Sequence, residues 1–91
     1  MIWFMNKLAV IGTLDTKGPE MRFTQELVKK KGYDPLIIDC GMIGEPEFAP
    51  DISREELAFA AGVTIEELQA APKNDAVLSM QHGIDLVVRR L

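Results

Sequence analysis

The sequence predicts an α/β fold, a Rossmann-like parallel sheet with flanking helices that is incomplete within these 91 residues. Two apolar runs, Leu8-Ala9-Val10-Ile11 and Leu36-Ile37-Ile38, lack polar alternation, as strands covered on both faces do. A stretch with helical periodicity separates them. The first run also breaks abruptly into Gly12-Thr13-Leu14-Asp15-Thr16-Lys17-Gly18-Pro19. In α/β proteins a strand that ends in such a turn, followed at once by a helix start, is where ligands bind.

The elements follow in order. Residues 7–13 form the first strand. Pro19 sits where the first helical turn tolerates it, and Met21, Phe23, Thr24, Leu27 and Val28 make an apolar stripe. Lys29, Lys30 and Lys31 complement the helix dipole, and Gly32 closes the helix at C′. The second strand ends at Asp39, and a right-handed crossover brings its tip beside residues 12–18. Residues 41–50, with two Gly and two Pro, form a loop over that edge. Ser53-Arg54-Glu55-Glu56 and Thr64-Ile65-Glu66-Glu67 are capping boxes, flanked by the staple pairs Ile52/Leu57 and Val63/Leu68. Gly62 and Pro72 end these two helices. A last helix starts near Asn74 or Asp75, with Val77, Met80, Ile84, Val87 or Val88, and Leu91 on one face. No third strand is expected. Two parallel strands make no self-sufficient core, so the chain reads as the N-terminal piece of something longer, its open sheet edge and helix faces covered by a partner, by the remainder of that chain or by its own copy.

Composition narrows the function classes. With 47% hydrophobic and 26% charged residues the chain is an ordinary globular one. A net charge of −4 argues against a sequence-independent grip on nucleic acid. A single cysteine, Cys40, makes no internal disulfide, and the expected compartment is the cytoplasm. The opening Met1-Ile2-Trp3-Phe4-Met5 is too short for a membrane span and lacks a signal peptide's charge and cleavage site. Residues 1–6 read as an extension, with Met5 an alternative start, and no membrane partner is expected.

The chemistry concentrates at the strand tips. Gly12, Thr13, Asp15, Thr16, Lys17 and Gly18 suit an anion site. The amides of residues 13 to 17 would form a nest, the two hydroxyls and the Lys17 ammonium would meet a phosphate, and Asp15 would orient a ligand hydroxyl or a metal-bound water. The competing reading is a plain capped turn with an exposed lysine. The stretch is neither a Walker A loop nor GxGxxG, since the glycine spacing fails both. Asp39 stands where dinucleotide-binding folds place a ribose-binding acid, but equally where an aspartate caps a loop through its own backbone.

Residues 57–68 imitate a DNA-binding helix-turn-helix. Glu66 and Glu67 would then stand where phosphate contacts need cations, so a packed helix pair is the better reading. His82 reads as a helix-surface residue, and Cys40 as a small residue near a strand end.

Three groups of residues together resemble the Tm-1-like ATP-binding family, also called UPF0261. They are Val10-Ile11-Gly12-Thr13-Leu14-Asp15-Thr16-Lys17-Gly18, then Asp39-Cys40-Gly41 and Gly44-Glu45-Pro46, then Phe48-Ala49-Pro50-Asp51-Ile52-Ser53-Arg54-Glu55-Glu56. The resemblance implies that residues 7–91 are the N-terminal part of a Rossmann-like ATP-binding domain in a protein several times longer. It implies nucleotide binding, with residues 12–18 and the loop 39–45 as the stretches carried over; within them ATP, with Mg²⁺ as its companion, is expected at Gly12, Thr13, Asp15, Thr16, Lys17, Gly18, Asp39 and Gly41. Two other readings stand beside it: an interaction or homo-oligomerisation module, and helix-turn-helix DNA binding. No hydrolytic base is identified.

Overall fold

The computed structural model describes residues 2–4, as backbone, and residues 6–91. Met1 and Met5, the two candidate starts, lie outside the described residues. The element order is β1 (Ile2–Phe4), β2 (Lys7–Gly12), α1 (Gly18–Lys30), β3 (Asp34–Asp39), α2 (Arg54–Ala60), α3 (Ile65–Ala70) and α4 (Lys73–Arg89).

β2 and β3 pair in parallel from Lys7↔Asp34 to Gly12↔Asp39, so both strands end on the same edge. Lys7 Nζ lies 2.9 Å from Asp34 Oδ2 and ties the lower end of that register. The sheet has a third strand, contrary to the sequence expectation. β1 pairs antiparallel with β2, from Ile2↔Ala9 to Phe4↔Lys7. Three residues are too few to show a period, although Ile, Trp and Phe are strong strand formers.

Alternate residues of β2 and β3 feed two cores on opposite faces. On one face Val10, Leu14 and Ile37 pack with Met21 and Val28 of α1. On the other Ala9 and Ile38 pack with Leu57, Ala58, Ile65, Leu68, Ala76 and Met80 of the later helices. α1 carries its proline in the first turn, and Gly32 (φ +86°) follows the last turn as expected. Tyr33 N–H reaches Val28 O (3.2 Å) and Gly32 N–H reaches Lys29 O (3.0 Å), the paired bonds that satisfy a helix's last carbonyls. Both capping boxes close reciprocally, Ser53 with Glu56 and Thr64 with Glu67.

Two helix faces differ from expectation. In α1 only Met21 and Val28 of the apolar stripe are buried, while Phe23 is 71% and Leu27 44% exposed. In α4 Met80 is buried and Ile84, Val87 and Val88 pack against the same core as expected, but Ala76 and Gly83 are also buried and Val77 turns outward. Hydrophobicity misleads only at Val77, because the small residues Ala76 and Gly83 let α4 approach α2. A Cβ on Gly83 would stand 2.9 Å from the Leu57 carbonyl carbon.

Candidate functional site

The parallel register puts Gly12 beside Asp39, and the turn after β2 faces the loop after β3. β2 ends on a glycine because the Met21 side chain of α1 occupies the space a Cβ would need. Beyond it, Leu14 is wholly buried in the α1-side core and anchors the turn from its centre.

That anchor closes the turn on itself. Lys17 N–H donates to Thr13 O at 2.7 Å and Thr16 N–H to the same oxygen at 3.3 Å. Leu14 N–H donates to Asp39 Oδ1 at 3.1 Å. Three of the amides expected to form an open nest are therefore engaged inside the protein, which corrects that expectation. A glycine-rich phosphate loop stays open because its backbone takes left-handed conformations. This turn carries side chains from residue 13 to 17 and closes as a single helical turn ahead of α1.

Asp39 is 1% exposed, and its Oδ1 accepts from both Leu14 N–H and Gly41 N–H (2.8 Å). Of the two roles open to it from sequence, the geometry shows the closure of the loop through backbone amides. Gly41 is glycine for a local reason: a Cβ there would meet the Asp15 and Asp39 carboxylates. Asp15 clasps the same loop from the other side, its Oδ2 accepting from Ile43 N–H (2.9 Å) and Gly44 N–H (3.0 Å). Its Oδ1 is buried with no hydrogen-bond partner among the described residues. Burial pushes the Asp15 carboxyl up. The amides of Gly44 and Ile43, with those of Asp15 and Thr16, outweigh burial and hold it below its ordinary value of 3.8.

Two further residues belong to this edge: Glu47, on the loop expected over it, and Arg54, which was not read from sequence as part of it. The Glu47 side chain lies against Gly18, at the N-terminus of α1, where its charge suits the helix dipole. Arg54 is buried, donates to the Gly44 carbonyl and pairs with Glu55 at 3.2 Å. The capping-box pattern around Arg54 was legible, but its second duty as a loop anchor was not.

The groups left to meet a ligand are side chains. Thr13 Oγ1 and Thr16 Oγ1 lie 2.6 Å apart, so one hydroxyl donates to the other and one proton remains to be given outward. Lys17 is exposed, its Nζ 3.8 Å from Glu20 Oε2. An open groove of about 610 Å³ runs beside Met42 and Ile43 to Leu68, Ala71 and Lys73. It begins at the residue whose amide Asp15 holds. Gln69 Nε2 donates to Met42 O at 2.9 Å and fixes the groove's wall. Burial, then the nearby Asp39 charge, pushes the Cys40 thiol up, which disfavours a nucleophilic thiolate. Among the described residues no group of three His, Cys, Asp or Glu could hold a metal ion, and no helix is long and apolar enough to cross a membrane.

Residues 6–91 match the N-terminal domain of an uncharacterised protein family, UPF0261. A UPF0261 protein of Clostridium tetani is 36% identical over 86 residues, covering 93% of this chain and 21% of the relative. UPF0261 proteins of Brucella suis biovar 1 and Brucella melitensis biotype 1 are each 33% identical over 86 residues, with the same shares covered. The chain thus spans about a fifth of the length of these relatives. No solved structure matches. The chain belongs to the UPF0261 family, and residues 6–91 are its N-terminal domain.

Proposed function

We propose that in the longer UPF0261 proteins this domain supplies one wall of an ATP-binding site on the carboxyl edge of β2 and β3. The observation that carries the reading is the parallel register, which ends two strands side by side at Gly12 and Asp39. Open α/β sheets bind ligands at such an edge. The phosphates meet the Thr13 and Thr16 hydroxyls and the Lys17 ammonium, in the turn that leads into α1. The groove beside Met42 and Ile43 is within the size range of small-molecule sites and takes the remainder of the nucleotide. Asp39 and Gly41 act as framework, since their groups are spent on the loop. Mg²⁺ enters on the nucleotide's own phosphates.

The test uses the complete protein that carries this domain. At ATP about 100 times Kd, binding stabilises the native state by about 2.7 kcal/mol, seen as a rise in Tm. Lys17→Ala removes a charge-assisted contact and weakens ATP binding on the order of 10- to 100-fold without lowering Tm in its absence. Unchanged affinity in Lys17→Ala, or no rise in Tm with ATP, rules the reading out.

A further inference from the structure

The two outer edges of the sheet differ. On β3 the edge is closed: Pro35 has no N–H, and Ile37 N–H donates to Asp51 Oδ2 at 2.7 Å. Ile37 O accepts from Asp51 N–H (2.9 Å) and Ile52 N–H (3.0 Å), and Asp39 N–H donates to Ile52 O at 3.0 Å. On β2 the inner side is fixed by Asp34 N–H to Asn6 O and Cys40 N–H to Gly12 O. Strand alternation then turns the amides and carbonyls of Lys7, Ala9 and Ile11 to the outer edge. The β1 ladder reaches only to Ala9 and leaves Ile11 beyond it. β1 also lies outside the family match, which starts at residue 6.

Handedness decides what this edge is for. The step from β2 through α1 to β3 runs across one face of the sheet, and α2, α3 and α4 lie on the other face. A right-handed crossover made on the opposite face must travel in the opposite direction. A parallel strand following α4 therefore lands beyond β2, not beyond β3. An apolar groove lined by Leu8, Thr24, Leu27, Val28, Lys31 and Tyr33 lies on the α1 face of β2. The relatives have the chain to fill this place, since the present one covers 21% of their length.

We propose that the outer edge of β2 is a strand-docking edge. Its occupant in the longer UPF0261 proteins is the parallel strand that follows the equivalent of α4. β1 holds that place here, and the two are mutually exclusive. This inference stands independently of nucleotide binding.

Hydrogen exchange followed by NMR tests it. The amide at the position of Ile11 exchanges at least 100-fold more slowly in the complete Clostridium tetani relative than in the 91-residue chain, because only there does a full ladder cover it. Equal exchange at that position in both proteins overturns the proposal. In the 91-residue chain with residues 1–5 removed, Lys7 and Ala9 lose protection while Leu8, Val10 and Gly12 keep theirs. A peptide carrying the first strand that follows the matched domain in the Clostridium tetani protein restores Lys7 and Ala9, extends protection to Ile11, and protects the intact chain less. Protection of the shortened chain that depends on its own concentration and not on the peptide makes a second copy the occupant and contradicts the assignment.

Discussion

Asp39→Ala is expected to destabilise the domain by about 2–6 kcal/mol, the cost of leaving two buried amide donors unpaired at about 1–3 kcal/mol each. Small domains have only about 5–15 kcal/mol in total, so this change threatens the native state itself. The physical basis is the position of Oδ1, which accepts from Leu14 N–H on one side and Gly41 N–H on the other. One oxygen ties the turn after β2 to the loop after β3, inside a residue only 1% exposed. Water cannot replace it without opening the core around Leu14. Asp39→Asn keeps a carbonyl oxygen in place, so its loss is smaller and separates the geometric role from the charge. Urea unfolding of the three proteins measures both quantities. A loss below about 1 kcal/mol in Asp39→Ala contradicts the role given to this residue.

Gly83→Ala is expected to act against its own propensity. In an exposed helix interior, Gly to Ala gains about 1 kcal/mol. Here it loses about 1–3 kcal/mol, because the new methyl group meets backbone. The neighbour is the Leu57 carbonyl of α2, which cannot swing aside as a side chain would. Relief requires α4 to move away from α2 and to loosen the packing of Met80 and Ala76 against Leu57 and Ala58. Denaturant unfolding gives the sign directly, and a stabilised Gly83→Ala protein shows that the helices are not in close contact there.

The backbone plan was legible in the sequence wherever a local rule acts alone. Apolar runs marked β2 and β3, Pro19 and Gly32 bracketed α1, and the Ser53/Glu56 and Thr64/Glu67 pairs announced α2 and α3. What was not legible depends on contacts between distant segments. Phe23 and Leu27 fit a helical stripe as well as Met21 and Val28 do, and only the placement of α1 over the sheet decides between them. Val77 looks a better core residue than Ala76 or Gly83 until the close approach of α2 is known. The same holds at the carboxyl edge. The turn was placed correctly, but its amides were expected to face outward, because nothing local shows that Leu14 draws them inward or that Asp39, 25 residues on, takes one of them. Glu47 and Arg54 entered the edge through loop geometry and carry no motif that marks it.

In the proposed reading, nucleotide binding on this edge rests on side chains rather than on the backbone cradle of a phosphate loop. Thr13, Thr16 and Lys17 remain available while the framework beneath them is tied by Asp15 and Asp39. The most direct measurement is an ATP titration of the complete protein followed by amide NMR. The account predicts saturable shifts at Thr13, Thr16, Lys17 and Ile43, with Leu14 N–H still held by Asp39. Saturable shifts confined to other parts of the protein, or none at millimolar ATP, contradict it.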